Sequence, residues 1–261
     1  MCTVTLIPVG TATQDSIGVG AIARPRGIRL ACNRDELRTR PAALPPVIRA
    51  FGKRRAIMPI DPSSDGTWIA ANDAGIAAAL LNVNLGLKTA ASGHSMPSRG
   101  ALIPRLMASE TFDEAIEMSA GIDPSQYAPF RLVVVDDTQI ADFYSDRQSL
   151  RIERSLIGGC PILFTSSGLG DALVEGPRRE LFNHMFAAGK DWPSLQDAFH
   201  RHSWPDRRHL SVCMERREAR TVSHTVIELE PGRVALTYVP DAPDRAKPLA
   251  PITSVRSRMG K

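Results

Sequence analysis

The sequence predicts an α+β fold of mainly antiparallel sheets, and three observations carry that expectation. β-type runs come in neighbouring pairs joined by short turns, helical spacing is confined to separate blocks, and no glycine-rich loop leads from a strand into a helix. Gly158-Gly159 precedes Cys160-Pro161, with neither a lysine nor a helix start to hold phosphate, which disfavours a doubly wound nucleotide-binding sheet.

Residues 2–9 form the first β-type run, and residues 27–33 the second, ending in a cluster of charges. Asp65-Gly66 marks a turn before a strand at 67–71. Asp73-Ala74-Gly75 punctuates the entry to 76–83, an apolar run long enough to cross a buried sheet. Residues 98–109 and 111–120 have helical spacing, with Thr111 placed to cap the second helix and Gly121 to stop it. The runs 130–135 and 140–144 flank the turn-like Asp136-Asp137-Thr138-Gln139 and make a hairpin. A short strand at 161–166 precedes helices at 171–188, with Pro177 near its start, and 192–200. Three strands at 209–214, 221–229 and 233–239 close the chain, with Pro231-Gly232 as the last turn. One domain over residues 1–240 is expected, with 241–261, rich in Pro, Arg and Lys, as a loose tail.

Composition narrows the function classes. The 32 basic residues are interspersed with 28 acidic ones, giving a net charge of +4. The cluster Arg207, Arg208, Arg216, Arg217 and Arg220 is broken by Asp206, Glu215 and Glu218 and reads as a solvated face, so no nucleic-acid partner is expected. The longest apolar stretch, 75–83, is about half of what spans a bilayer, so no membrane span is expected. No basic segment followed by an apolar core and a cleavage site opens the chain, and a cytoplasmic location is the expectation. The cysteines have neither zinc nor redox-motif spacing; Cys32, Cys160 and Cys213 sit in apolar surroundings and read as core. His94, His200, His202 and His209 show no ligand spacing, so no metal is expected. Nothing in the sequence sets an oligomeric state.

The chemistry concentrates where apolar runs end. Cys2 follows the initiator methionine and is small enough to permit its removal. A terminal cysteine carries a thiol, of ordinary pKa about 8.5, and an α-amine of about 7.7–8.0, so nucleophile and base occupy one residue. Cys32-Asn33-Arg34-Asp35-Glu36 ends the second run in polar groups. There, Asp35 is positioned to hold the Cys2 ammonium, and Arg34 to steady the thiolate or a substrate carboxylate. Leu81-Asn82-Val83-Asn84 ends another run: Asn82 suits a neutral oxyanion donor, and Asn84 is by position a turn asparagine. Thr165-Ser166-Ser167 ends a fourth and offers a further donor.

Met1-Cys2-Thr3, the tetrad Asn33-Arg34-Asp35-Glu36 with Arg40-Pro41-Ala42, Asp65-Gly66-Thr67-Trp68 with Asn72 and Gly75, Leu81-Asn82, Ser98-Arg99-Gly100 and Ala219-Arg220-Thr221 together resemble the NRDE family. That family includes the eukaryotic transport-and-Golgi-organisation proteins and is similar to cysteine N-terminal-nucleophile hydrolases such as penicillin V acylase and bile-salt hydrolase. The chain has Ser166-Ser167 where the family usually has Ser-Asn. The resemblance implies a four-layer α/β/β/α sandwich and amidohydrolase or acyltransferase chemistry on an amide- or thioester-linked acyl small molecule. It implies Cys2 as nucleophile, Asp35 as its amine partner in preference to Glu36, Asn82 in the oxyanion site, and either Arg34 or Arg220 beside the thiolate. Asn33, Glu36, Asn84 and Ser167 are the candidate substrate contacts. The alternative it implies is a non-catalytic protein that binds haem or an acyl lipid or acyl-CoA; the hydrolase reading needs no cofactor.

Overall fold

Alternation with period two builds both sheets. In the computed structural model, which describes residues 2–11, 25–85, 96–187 and 191–256, β1 (Cys2–Thr11) pairs antiparallel with β2 (Pro25–Leu37), as the first two runs predict. Cys2, Val4 and Leu6 of β1 and Ile28, Leu30 and Cys32 of β2 point one way into an apolar layer, while Thr3, Thr5 and Ile7 point the other way. The remaining strands are β3 (Leu44–Phe51), β4 (Arg54–Ile60), β5 (Ile69–Asn72), β6 (Ala77–Asn82), β7 (Phe130–Val135), β8 (Gln139–Ser145), β9 (Leu150–Leu156), β10 (Ile162–Thr165), β11 (Ala219–Glu230), β12 (Arg233–Val239) and β13 (Ile252–Val255). One sheet has the order β10-β1-β2-β11-β12-β13; the other runs β3 to β9 as a meander, and both are antiparallel.

The two sheets stack through Cys2, Val4, Leu30 and Cys32 on one side and Ile57, Ile69, Ala79, Leu81, Val133 and Val135 on the other. Each large aliphatic side chain removed from water there contributes about 1.5–3 kcal/mol. Outside the meander lie α1 (Leu102–Leu106) and α2 (Phe112–Ala120), covering Met58, Leu80, Leu132 and Val134. Outside the other sheet lie α3 (Asp171–Phe186) and α4 (Trp192–Arg201), whose Phe182, Phe186 and Phe199 pack on Ile7 and Leu163. The result is the expected four-layer α/β/β/α sandwich. Thr111 caps α2 as predicted, accepting from the Glu114 amide at 3.1 Å.

Four expectations need correction. Residues 209–214 are no strand: a 3-10 turn at Arg208–Leu210 runs into loop backbone whose Leu210 and Ser211 carbonyls accept from Arg178. The helix expected over 98–109 divides into a 3-10 turn, Arg99–Ala101, and the short α1. The segment after Pro240 contains β13, paired with β12. Cys160, read as core, is exposed. The strands β3, β4 and β9 carry no clean apolar alternation: β3 contains Pro45-Pro46, β4 opens on Arg54-Arg55, and β9 is exposed along nearly its whole length. Among the described residues no helix is long and apolar enough to cross a membrane.

Candidate active site

Cys2 opens β1 opposite Arg34 of β2. Its amide N–H donates to Ser166 Oγ at 3.0 Å and its carbonyl accepts from the Ser166 amide at 2.9 Å, which ties the start of β1 to the end of β10. The thiol turns into the layer between the sheets, with the residue 4% exposed. Cys32 stands two residues before Arg34 on the same face of β2, and its thiol donates to Cys2. That hydrogen bond, aided by the positive amino terminus and to a lesser degree by the Arg34 cation, pulls the Cys2 thiol below its ordinary pKa against burial and the Asp35 charge. Cys32, as the donor and in the same apolar layer, is pushed well up.

A cleft at this end of the sandwich is lined by Cys2, Arg34, Glu36, Arg40, Asp61, Thr67, Trp68, Asn82 and Arg99 among others. Cys2, Arg34, Glu36 and Asn82, distant in sequence, are thus brought together. The Arg34 guanidinium lies 4.4 Å from the Trp68 ring centre and donates to Asp61 at 2.9 Å; Arg40 donates to the same oxygen at 2.8 Å. Burial works against the Asp61 charge, but hydrogen bonds from Arg40 and the Ser63 amide, together with Arg34, outweigh it and hold the carboxyl below its usual range. Glu36 lies 3.5 Å from Arg34 and 3.7 Å from Arg40. Asn82 ends β6, and its side-chain amide makes no hydrogen bond to another described residue.

The pleat turns Asp35 to the helical side of the same sheet. It stands one register step beyond the Cys2–Arg34 pair, is 1% exposed, and accepts from Thr221 Oγ1 at 2.7 Å. Burial pushes its carboxyl up; Arg178 and the Thr221 bond oppose that. Arg178 of α3 is itself 1% exposed and donates to Thr3 Oγ1 and Thr165 Oγ1, both at 2.8 Å, and to the Leu210 and Ser211 carbonyls at 2.9 and 2.7 Å. It therefore braces from behind the strands that carry Cys2 and Ser166.

Five candidate residues stand away from the cleft: Asp35, on the helical side of β2, and Asn33, Asn84, Ser167 and Arg220. Asn33 is fully buried under α4, donating to the His200 and Val212 carbonyls and bonding His224 Nδ1 at 2.8 Å. Asn84 is tied to Asp171 at the start of α3, and the Ser167 amide donates to the same carboxylate at 2.7 Å. Arg220 pairs with Asp241 and lines a separate pocket with Cys213 and Arg245. Of the two competing arginines, Arg34 is therefore the one at Cys2. Sequence reasoning passed over Ser166 in favour of its neighbour and gave no role to Cys32, Asp61, Arg99 or Arg178. Only Arg99 carried a signal, within Ser98-Arg99-Gly100. His94 lies outside the described residues.

No group of described residues has the makings of a metal site. Haem also fits poorly: Arg34, Glu36, Arg40, Asp61 and Arg99 put charge around the cleft, and no histidine among the described residues lines it. Its volume of about 120 Å³ equals roughly four liquid waters, far below an ordinary cofactor pocket.

The family model described as Transport and Golgi organisation 2 matches residues 27–177, which include the tetrad, Asp61, Asn82, Arg99 and Ser166. No curated protein sequence matches the chain. Among solved structures, the Caenorhabditis elegans N-acylethanolamine-hydrolysing acid amidase ortholog aligns at 12% identity and a TM-score of 0.52, covering 87% of this chain and 92% of that one. A C2A mutant of the conjugated bile acid hydrolase from Clostridium perfringens aligns at 11% identity and a TM-score of 0.50, covering 96% and 97%. At such identities the likeness is one of fold, the N-terminal-nucleophile hydrolase sandwich.

Proposed function

The chain belongs to the Transport and Golgi organisation 2 family, and from that premise we propose that it is a cysteine-dependent N-terminal-nucleophile amidohydrolase or acyltransferase acting on an amide- or thioester-linked acyl small molecule. The observation that carries this reading is the convergence of a thiol of lowered pKa, the Arg34 cation and the Asn82 amide, unengaged among the described residues, on one cleft at the first residue of β1. The two structural neighbours, by name an acid amidase and a bile acid hydrolase, support the reaction class.

Removal of Met1 turns the Cys2 amide nitrogen, beside Ser166 Oγ and one register step from Asp35, into an amine. The thiolate attacks the acyl carbon, forming a C–S bond, and the carbonyl electrons move to oxygen, where the Asn82 side chain donates to the oxyanion. Arg34 steadies the thiolate before attack. The Cys2 ammonium gives its proton to the leaving nitrogen or sulfur as that bond breaks, and Asp35 faces the charge it carries. Water, or a second acceptor in a transfer reaction, then attacks the thioester and releases the acid or the new acyl product. Glu36 lines the path to the nucleophile.

A panel of N-acyl amides and acyl thioesters tests the reading. The parent protein is expected to turn over at least one of them, Cys2→Ala to abolish turnover with the fold intact, and Asn82→Ala to slow it by roughly 100-fold. Turnover that survives Cys2→Ala would overturn the proposal.

A further inference from the structure

The cleft holds one cation that nothing described in the protein neutralises. Arg34 and Arg40 share the carboxylates of Asp61 and Glu36. Arg99 forms no ion pair among the described residues; it donates from Nη1 to the Pro129 carbonyl at 2.7 Å and makes no other hydrogen bond among them. Three guanidinium groups thus face two carboxylates across the lining. Acylation removes the thiolate charge of Cys2 and leaves that excess uncompensated. Resting on the reading of this cleft as the acyl-substrate site, we propose that Arg99 binds a carboxylate carried by the substrate beside its scissile bond, so that the preferred substrates are carboxylate-bearing acyl compounds such as N-acyl amino acids.

The backbone holds Arg99 in place for such a role. Ser98 caps its turn, accepting from the Gly100 amide at 3.2 Å, and the Gly100 carbonyl accepts from the Thr67 amide at 3.0 Å. Gly66 packs so closely on this turn that a Cβ there would lie 2.5 Å from the Gly100 carbonyl group. The bond to Pro129 fixes the guanidinium without cancelling its charge. Burial pulls the Arg99 pKa down, with the negative charges of Glu36 and Cys2 opposing, yet an arginine stays protonated under any physiological condition. A fixed, partly dehydrated guanidinium presents a planar fork matched to a carboxylate and distinguishes it from a neutral amide of equal size.

The test separates binding from catalysis. In protein carrying Cys2→Ser, calorimetric titration compares N-acetylglycine with N-acetylglycinamide, which differ only in the carboxylate. N-acetylglycine is expected to bind roughly ten-fold or more tightly than the amide, by the strength of a charge-assisted hydrogen bond. Arg99→Gln removes the difference and Arg99→Lys retains part of it. Circular dichroism checks that both variants fold, and should Arg99→Gln unfold, the comparison rests on Arg99→Lys and the parent sequence. Equal affinities, including no binding of either compound, overturn the proposal, as does a preference that persists in Arg99→Gln. Failure of Cys2 to take up an acyl group sinks the nucleophile reading separately and leaves this binding comparison standing.

Discussion

Cys2 and Cys32 divide one job between two thiols. Both face the apolar layer between the sheets, where a lone thiolate would be penalised by lost hydration; the Cys32 thiol supplies the donor that water cannot. Removing that donor in Cys32→Ala is expected to slow alkylation of Cys2 by iodoacetamide at pH 7 by about three- to ten-fold, the value of one net hydrogen bond. The rate profile should move to higher pH, and an unchanged profile would contradict the assignment. Arg178 acts from the opposite face. Arg178→Leu strips donors from two hydroxyls and two carbonyls and removes the cation facing Asp35, so a loss of about 3 kcal/mol or more in urea denaturation is expected. A midpoint like the parent's would show that water replaces it. Neither residue was legible in the sequence. Cys32 sits in an apolar run and Arg178 in an amphipathic helix, contexts that indicate packing and exposure, whereas Cys2, Arg34 and Asn82 stand at strand ends, where polar groups after apolar ones mark a rim.

At the scale of elements, β2 explains why the tetrad is not a site in one piece. Successive residues of a strand face opposite sides, so Arg34 and Glu36 reach the cleft while Asn33 and Asp35 are buried toward the helices. Sequence reading grouped the four by adjacency, and the pleat separates them into a cleft pair and a buried pair. The turn carrying Gly66 is the other decisive element, because it meets the Arg99 turn with no room for a side chain. Gly66→Ala is expected to cost about 1–3 kcal/mol in thermal unfolding through overpacking against backbone. It should also weaken binding of N-acetylglycine more than that of N-acetylglycinamide, since it displaces Arg99. An unchanged melting temperature would contradict this close fit. The same scale shows what composition hides: β3 and β9 are outer strands of the meander, and their side chains are held by pairing on one edge more than by a buried face.

For the whole molecule, hairpins and helical blocks made the antiparallel α+β class legible and the family resemblance implied the four-layer sandwich, but neither pointed to a loss of stability toward acid. His200 and His224 lie buried between α4 and the β1–β2 sheet, their rings 4.9 Å apart, bonded to Thr5 Oγ1 and Asn33 Oδ1. Burial pulls His224 down to about 3, against the Asp197 charge and with help from Arg29 and Arg201, and pulls His200 well below its ordinary 6.5 with help from His224, Arg29 and Arg178. Above pH 6.5 both histidines are neutral whether folded or unfolded and contribute no pH dependence. As pH falls below 6.5 the unfolded chain takes up protons that the folded one refuses, so stability is lost toward acid, by up to roughly 1.4 kcal/mol per pH unit for each histidine. Urea midpoints at pH 7 and pH 5 should show this loss, and His224→Asn should flatten it; a parent protein equally stable at both would contradict it. On the proposed function the sandwich brings the first residue of β1 to a cleft as a nucleophile, and one measurement addresses that directly. Protein trapped with an activated acyl ester is analysed by intact mass and peptide mapping. The account predicts a chain that begins at Cys2 and carries one acyl group on its Sγ; methionine retained on protein that turns substrate over, or an acyl group on exposed Cys160 with Cys2 unmodified, would contradict it.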